Sequence, residues 1–365
     1  MTLTVVLFGL VGICPGPDSN GPLPAIGDSA GAPGLNPSDS IQESSSPPSI
    51  RPCAGRCGIW SETELRGGTA DKIITVSPRS SRNIPPKRAR PTLVNSPLAP
   101  GMANSIRSVR LPGGERLLAL TFDLCEVESE ISGYDFEVVN YLRANNVKAT
   151  FFACGKWMRS HPEKTMQLMS DPLFEVGNHG WNHKNFRLID KNQALDQILW
   201  TQAQYEMLWE QMLKDPCFRQ DGTKEIPRIP QVFRFPFGTC NSEVLGILQQ
   251  LGLPAIQWDV VSGDPAKGRT AGAIAELVLQ KARPGSIIIF HANARGHGTA
   301  QSLPMFVPKL RERGFQFVTV SELLTAGTPV AGPQCYENSP GDNRRYDRIG
   351  SRPKSMQPET GKGDR

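Results

Sequence analysis

The sequence predicts an α/β fold in which a parallel sheet of about seven strands closes into a barrel surrounded by helices. Apolar strand patterns alternate with helical patterns from about residue 104 to 326, and this alternation is typical of parallel sheets. Acidic and basic side chains follow several of the predicted strands. An open doubly wound sheet fits the same alternation. The barrel is favoured because the carboxyl ends of its strands surround one mouth, where such side chains can act together.

Local signals mark the beginnings of several helices. Asp190 and Gln193 form the pattern of a capping box, and Thr270 is a good N-cap. Pro162 occupies the first helical position, which proline favours. The predicted strands are 117–123, 149–154, 173–176, 232–235, 255–260, 286–291 and 316–320, and the predicted helices are 134–146, one that begins at 162, 190–213, 242–251, 270–282 and 302–313.

Both ends of the chain are rich in Pro, Gly and Ser and lack a sustained apolar period. Such segments do not bury enough apolar surface to offset their conformational entropy. The sequence therefore predicts an ordered domain at 104–326 between a disordered N-terminal segment, 1–103, and a disordered tail, 327–365. A basic cluster in the first segment is interpreted as a solvated charge run; its members are Arg79, Arg82, Lys87, Arg88 and Arg90.

Composition excludes several classes of protein. The net charge of +5 is modest, and no recognition helix or interleaved aromatic pattern indicates a nucleic-acid partner. Neither G-x-G-x-x-G after the first strand nor G-x-x-x-x-G-K-[ST] occurs, which disfavours nucleotide binding. The apolar run at 2–14 is shorter than the roughly 20 residues that span a bilayer, so we expect no stable membrane span. Its likeness to a secretory signal core favours an extracellular or cell-envelope location, although no basic residue precedes it and no small-x-small cleavage site follows. A misplaced start codon, with Met102 as the true start, and a short anchor are the alternatives.

Eight cysteines do not by themselves fix the compartment. Cys53 and Cys57 lack a second pair at zinc-finger spacing. Cys217 and Cys240 flank a Pro-rich loop, so they are candidates for a disulfide if the protein is exported.

The segment 176–183 reads V-G-N-H-G-W-N-H and contains two of the five histidines, His179 and His183. Residues four apart lie on the same side of a helix or a tight turn. Two imidazoles that face one point are a common beginning of a zinc-type site. The alternative is that both are ordinary structural histidines, and the rest of the chain decides between the two interpretations.

Four more polar residues are predicted at the same mouth. Asp123 ends L-A-L-T-F-D, Arg234 begins R-F-P-F-G, Asp264 lies in W-D-V-V-S-G-D-P, and His291 ends S-I-I-I-F-H. Each has an ordinary structural explanation when taken alone. Their common position at strand ends indicates a catalytic site.

The order T-F-D, H-x-x-x-H, R-x-P-x-G, an Asp after W-D, and I-x-H resembles the polysaccharide deacetylases of the nodulation-factor type, carbohydrate esterase family 4. The resemblance covers residues 117 to about 325, and F-E-V-G-N-H-G-W-N-H and F-R-F-P-F-G are its most diagnostic segments. It implies a distorted TIM-like barrel that removes acetyl groups from chitin-like polymers, peptidoglycan, xylan or exopolysaccharide. We accordingly expect an acetylated polysaccharide or oligosaccharide as the substrate, and a monomeric protein.

The resemblance also implies roles for the four polar residues. Asp123 would take a proton from the attacking water, and Arg234 would pair with it and fix its position. His291 would protonate the leaving nitrogen, and Asp264 would orient His291 and keep it charged. The backbone N–H of Phe237 would donate to the oxyanion, and Ile289 would line the pocket for the acetyl methyl group.

A divalent metal, zinc by expectation, would be held by His179 and His183. The family usually has a second Asp directly after the catalytic one as the third ligand, but this chain has Leu124 there. Glu126 is the first choice for the replacement, since a carboxylate two positions further along a loop can turn back to the mouth. Cys125 is the second choice. A weak two-histidine site and a metal-free hydrolase are the remaining alternatives.

Two other functions compete with deacetylation. A related hydrolase could act on a small cyclic amide or imide, in a closed pocket rather than a long groove. The domain could also be a catalytically inactive carbohydrate-binding relative, although the presence of both Asp123 and His291 argues against that.

Overall fold

The predicted apolar segments form the central strands. The computed structural model describes residues 60–99, 102, 104–214 and 226–348. The strands that were predicted at 117–123, 149–154 and 286–291 begin and end within one residue of those bounds. The strands are β1 (Thr75–Val76), β2 (Ser105–Arg110), β3 (Leu117–Leu124), β4 (Glu130–Ile131), β5 (Ala149–Ala153), β6 (Phe174–Asn178), β7 (Ala255–Ile256), β8 (Val260–Val261), β9 (Ile287–His291), β10 (Gln316–Phe317) and β11 (Thr328–Gly332).

The helices follow the strands in the alternation that the sequence predicts. Asp190 and Gln193 form the expected capping box, and the Thr270 side chain accepts from the backbone N–H of Ala273. The helices are α1 (Glu62–Arg66), α2 (Phe136–Ala144), α3 (Gly155–Ser160), α4 (Pro162–Ser170), α5 (Lys191–Met212), α6 (Ser242–Gln250), α7 (Ala271–Lys281), α8 (Thr299–Glu312) and α9 (Val320–Ala326), with 3₁₀ turns at Thr69–Lys72, Arg79–Ser81, Pro236–Gly238 and Asp342–Arg348.

A mostly parallel sheet lies at the centre. Its order is β6-β5-β3-β9-β8, with β10 beside β3, and all of these pairings are parallel. A second sheet has the order β11-β2-β7. Single bridges link the two sheets: Phe233 bridges to both Asn178 and Ala255, and Ser108 bridges to Ser286. The α/β class is confirmed, and the Phe233 bridges connect β6, at one edge of the central sheet, with β7, at one edge of the second sheet.

Three of the predicted strands outside the centre of the sheet are less regular than expected. The strand expected at 232–235 is reduced to the bridging residue Phe233, because Pro230 and Pro236 lack the N–H that a ladder needs. The strand expected at 255–260 is divided into β7 and β8. The last predicted strand ends at Phe317, because the Thr319 side chain caps α9. Three of the seven predicted strands are therefore shorter than expected or divided.

Alternate side chains of the central strands pack in two apolar layers. Ala119 and Ile289 belong to one buried cluster with Phe152, whereas Phe122 and Phe290 lie in another together with the helices. The rings of Phe122 and Phe290 stack with their centres 5.3 Å apart. Burial of one such side chain contributes about 1.5–3 kcal/mol, and burial on both faces explains why these strands read as nearly continuous apolar runs.

The ordered region extends beyond the predicted limits of 104 and 326. On the N-terminal side, β1 pairs with β4, and the Asn140 side chain donates to the carbonyl of Arg66 at 2.7 Å. On the C-terminal side, β11 pairs with β2 from Thr328 to Gly332. Backbone pairing and polar contacts hold these segments, so the absence of apolar periodicity did not mean disorder.

The basic cluster is also ordered where it meets α5. Arg88 donates to the buried carboxylate of Glu206 at 2.8 Å and to Glu210 at 3.0 Å. Arg90 donates to Asp196 at 2.7 Å. The interpretation of the cluster as a solvated charge run is therefore wrong for these two arginines.

Cys240 forms a disulfide with Cys335 rather than with Cys217. The sequence suggested Cys217 because it and Cys240 flank a Pro-rich loop, but Cys217 and the apolar run at 2–14 lie outside the described residues. Cys125 and Cys154 are free and buried. Among the described residues, no helix combines the length and apolarity that a bilayer crossing needs.

Candidate active site

The carboxyl ends of β3 and β9 bring together two of the predicted catalytic residues. The parallel register pairs Asp123 with His291 directly. Ile289, two positions earlier on β9, therefore points to the same side as His291, and it is buried with Phe152 and Trp258 in the inner apolar cluster. The sheet thus sets Asp123 and His291 side by side above an apolar floor.

A buried arginine fixes the orientation of Asp123. Arg234 Nη1 donates to Asp123 Oδ1 at 2.8 Å, and the same guanidinium donates to the carbonyls of Ile256 and Gln257 at 3.3 and 3.2 Å. Its carbon lies 4.0 Å from the centre of the Phe152 ring. With Oδ1 occupied, Asp123 Oδ2 is left to face the site, 3.5 Å from His179 Nε2.

The two histidines of the H-x-x-x-H segment meet beyond the end of β6. Their ring centres are 5.1 Å apart. His179 Nδ1 is 2.9 Å from the carbonyl of Arg234, so Nδ1 carries the proton and Nε2 presents its lone pair to the site. Burial lowers the pKa of His179, and burial together with the nearby His179 lowers the pKa of His183 well below its usual value. Both imidazoles are therefore neutral at pH 7, as metal binding requires.

Cys125 lies between the histidine pair and the catalytic pair. Its Sγ is 3.5 Å from His179 Nε2. The donor atoms of Cys125, His179 and His183 lie within 4.8 Å of one another, and the donor atoms of Asp123, Cys125 and His291 do so as well. The donor set of two imidazoles and one sulfur suits a tetrahedral zinc-type ion.

Asp264 fixes His291 through two contacts. Asp264 Oδ1 is 2.9 Å from His291 Nδ1, and its Oδ2 accepts from the His291 backbone N–H at 2.7 Å. The Thr299 hydroxyl and the Ser262 hydroxyl also donate to the carboxylate of Asp264. Burial alone would lower the pKa of His291, but the charge and hydrogen bond of Asp264 raise it. His291 therefore keeps its proton to a higher pH than an ordinary histidine.

Phe237 lies against His183 in a constrained backbone conformation. Its φ is 59°, in the left-handed region that non-glycine residues rarely adopt. Its ring centre is 4.4 Å from that of His183. The next residue, Gly238, also has φ 59°, and a Cβ there would meet the Trp258 ring at 2.8 Å. This close approach explains the glycine in R-F-P-F-G.

The structure does not bring Glu126 to the histidines, which corrects its prediction as the third ligand. The carboxylate of Glu126 accepts from Lys156 Nζ at 2.8 Å, from the Ser160 hydroxyl at 2.7 Å and from the Ser132 backbone N–H at 3.0 Å. Both Glu126 and Lys156 are almost fully buried. Leu124 turns away from the site as well and packs in the apolar layer beneath the helices. The alternation of the strand points Asp123 and Cys125 to the site and sends Leu124 to the core.

One neighbour of the site was missed by sequence reasoning. Tyr346, in the segment predicted to be disordered, has its ring centre 5.2 Å from that of Phe237. The available signal was Cys335, a cysteine without an assigned partner in the same segment.

Paired acid, base and metal-binding groups at the carboxyl edge of a parallel sheet form the kind of site that a hydrolase uses. Residues 110–256 match the family model described as polysaccharide deacetylase.

Curated relatives match longer stretches of the chain than this model does. The chain is 29% identical over 275 residues to a peptidoglycan-N-acetylglucosamine deacetylase of Listeria monocytogenes, covering 72% of this chain and 51% of that protein. It is 29% identical over 217 residues to a peptidoglycan-N-acetylglucosamine deacetylase of Bacillus cereus, covering 59% of this chain and 91% of that protein. This chain thus spans about half the length of the Listeria relative.

Solved structures support the fold. A crystal structure of a peptidoglycan N-acetylglucosamine deacetylase has a TM-score of 0.50 and 24% identity, over 61% of this chain and 93% of the other. A protein of Bacillus anthracis titled a carbohydrate esterase family 4 pseudoenzyme has the same TM-score and identity, over 62% of this chain and 70% of the other.

Proposed function

We propose that this protein is a metal-dependent deacetylase that hydrolyses the acetamide of N-acetylglucosamine units in a cell-wall polysaccharide. One observation carries the proposal: the donor atoms of Asp123 and His291 lie close to Cys125 Sγ, and this sulfur also lies close to the histidine pair. Arg234 holds Asp123 in this position and Asp264 holds His291. Hydrolysis of an acetamide needs a base for the water and an acid for the nitrogen, and these two groups stand in register on adjacent strands.

The Asp123 half of the site supplies the base. Arg234 donates to Oδ1 and is itself held by two backbone carbonyls. The orientation of the carboxylate is therefore fixed, and Oδ2 faces the site and is able to accept a proton. A positioned carboxylate of this kind takes the proton of the attacking water. The backbone N–H of Phe237 donates to the oxygen that becomes negative in the tetrahedral state.

The His291 half supplies the acid. Because Nδ1 is bound to Asp264, Nε2 is the nitrogen that transfers a proton to the leaving amine. The leaving nitrogen must be protonated, since an amide anion is too basic to depart. Ile289 lines the floor beside His291 and is 6% exposed, which suits the methyl group of an acetyl.

The donor set fits a divalent metal, held by His179 Nε2, His183 and Cys125 Sγ. Zinc is our choice, because it accepts two imidazoles and a thiolate and leaves a fourth position open. Bound there, the metal would polarise the acetyl carbonyl and lower the pKa of a water. Cys125 replaces Glu126 as the proposed third ligand.

The relatives named for peptidoglycan support the substrate class and an extracellular or cell-envelope location. The Cys240–Cys335 disulfide supports the same location, because such bonds persist in oxidising compartments. We expect a monomer that acts on an oligosaccharide chain.

Mass spectrometry tests the activity. Incubation of the full chain with acetylated peptidoglycan, chitin and xylan fragments should remove acetyl groups from the glucosamine units, and a chelator should stop the loss. Release of acetate from none of them, with metal added, would contradict the proposal and favour an inactive carbohydrate-binding relative. Hydrolysis of cyclic imides alone would favour the other alternative.

The ligand set is tested without reference to activity. Protein loaded with Co²⁺ should show a thiolate-to-metal charge-transfer band in the near ultraviolet. Cys125→Ser should abolish that band and weaken metal binding by about tenfold or more. Cys154→Ser is the matched control, since Cys154 is also a buried free thiol but donates to the His179 carbonyl. A band that survives in Cys125→Ser would remove the thiolate from the site.

A further inference from the structure

The C-terminal segment 333–348, here called the C-terminal clasp, reaches the Phe237 loop (residues 236–239). Neither β11 nor the clasp lies in the part of the chain that matches the family model, which ends at residue 256. The clasp is tied to the chain just past the loop by the disulfide between Cys240 and Cys335. Its 3₁₀ turn packs on the loop.

The central contact of the clasp is a fully buried asparagine. Asn343 Nδ2 donates to the carbonyl of Gly238 and to the carbonyl of Cys335, the latter at 3.1 Å. Its Oδ1 accepts from Arg187 Nη1 at 3.2 Å. One side chain therefore joins the Phe237 loop, the disulfide and the segment that follows the histidine pair.

A second set of contacts joins the same three segments. Asp347 accepts from the Arg187 guanidinium at 2.8 Å and from Asn185 Nδ2 at 3.0 Å. Asn185 Oδ1 in turn accepts from the Thr239 hydroxyl at 2.7 Å. Asn185 lies two residues after His183, so this set fixes the position of the histidine segment relative to the loop.

A column of three rings connects the clasp to the site. Tyr346 lies against Phe237 with ring centres 5.2 Å apart, and Phe237 lies against His183 at 4.4 Å. The left-handed conformation of Phe237 costs about 1–2 kcal/mol, and such conformations persist where the surroundings hold them. The clasp supplies those surroundings from the outer side of the loop.

We propose that the C-terminal clasp is a positioning device for the deacetylation reaction: Asn343 and Tyr346 hold the Phe237 loop so that the Phe237 N–H and the His183 ring keep their places in the site. This inference rests on the proposed function for the role of the N–H. The hold on the loop is a separate physical claim, which can be measured without substrate.

The experiment uses the full chain and two variants, Asn343→Ala and Tyr346→Ala. Each should lower kcat about ten- to hundredfold with KM changed less than about twofold, because the Phe237 N–H acts mainly on the tetrahedral state. Hydrogen exchange should quicken in residues 234–241 and stay unaltered in β3 and β9. Tyr346→Phe should restore kcat, because it keeps the ring. Arg344→Ala, at an exposed neighbouring position, is the matched control and should behave as the parent protein does.

Three results would overturn the inference: a kcat unchanged in both variants, a fall in kcat with faster exchange throughout β3 and β9, and failure of Tyr346→Phe to restore kcat. If Asn343→Ala does not fold, Tyr346→Ala, at a half-buried position, decides. If the parent protein releases acetate from no substrate, the proposed function has failed on its own. Exchange in residues 234–241 and metal affinity then decide: faster local exchange with weaker metal binding supports the hold on the loop, and no change in either overturns it.

Discussion

The central strands and the flanking segments of this protein are held by different forces. In β3, β5 and β9 nearly every side chain is buried among apolar neighbours. The flanks, residues 60–99 and 327–348, are attached by backbone pairing, ion pairs and one disulfide. Apolar burial is non-directional and leaves a periodic trace in the sequence, whereas a directed polar contact depends on a distant partner.

The candidate site draws on both regions. Asp123 and His291 stand on central strands, and their separation is set by strand register. Phe237 stands on an irregular turn whose far side is covered by the flank. Changes in the centre should therefore act on the chemistry, and changes in the polar attachments should act first on stability or on loop order.

The largest effect is expected at the centre, for His291→Ala. Loss of the proposed acid should lower turnover by a factor of about 10²–10⁴. Elemental analysis should find the same metal content in the variant as in the parent protein. Loss of metal would instead make His291 a ligand, and near-normal turnover would exclude it from the mechanism.

The pH profile sharpens the same prediction. Because Asp264 raises the pKa of His291 against the effect of burial, the acid form survives to higher pH, and kcat should fall on the alkaline side of that raised pKa. Asp264→Asn removes the carboxylate and leaves burial to act, so the alkaline limb should move to lower pH. If the alkaline limb does not move in Asp264→Asn, the titrating group is not His291.

The next effect is expected at the buried ion pair beneath the site. Glu126→Ala leaves the Lys156 ammonium, 1% exposed, without its carboxylate, and should lower the free energy of unfolding by about 3–5 kcal/mol. Denaturant unfolding measures this. Metal affinity of the folded fraction should not change, because Glu126 does not meet the histidines. The control is Glu128→Ala, whose partner Lys184 is exposed and where the loss should stay below about 1 kcal/mol.

The smallest effect is expected at the N-terminal flank. Arg88→Ala removes one of two arginines from the buried carboxylate of Glu206 and should cost about 1–2 kcal/mol. Arg90→Ala breaks a more exposed pair with Asp196 and should cost less than about 1 kcal/mol. An unfolding midpoint of Arg88→Ala equal to that of the parent protein would mean that the buried contact of the flank does not stabilise the fold.

The predictions from sequence were accurate where a local pattern of residues is compatible with a single structure, such as an apolar strand or a helix cap. The strand ending at Asp123 and the capping box of Asp190 were predicted at the correct places. The position of Glu126 was not, because Cys125 and Glu126 are adjacent in one loop and the sequence contains no measure of which way each side chain turns. The cation that pairs with Glu126 is Lys156, 30 residues away, so the direction of this side chain depended on tertiary contact.

The sequence by itself determined the α/β class, the order of the central strands and helices, and the position of Asp123, His291 and the histidine pair at strand ends, because apolar periodicity and short motifs are local. Only the tertiary structure decided the register that pairs Asp123 with His291, the partner of Cys240 and the order of the flanks. Each of these depends on groups that are far apart in the chain: the hydrogen bonds of the register and of the flanks become favourable when folding removes the competing water, and the disulfide forms when folding brings the two thiols together.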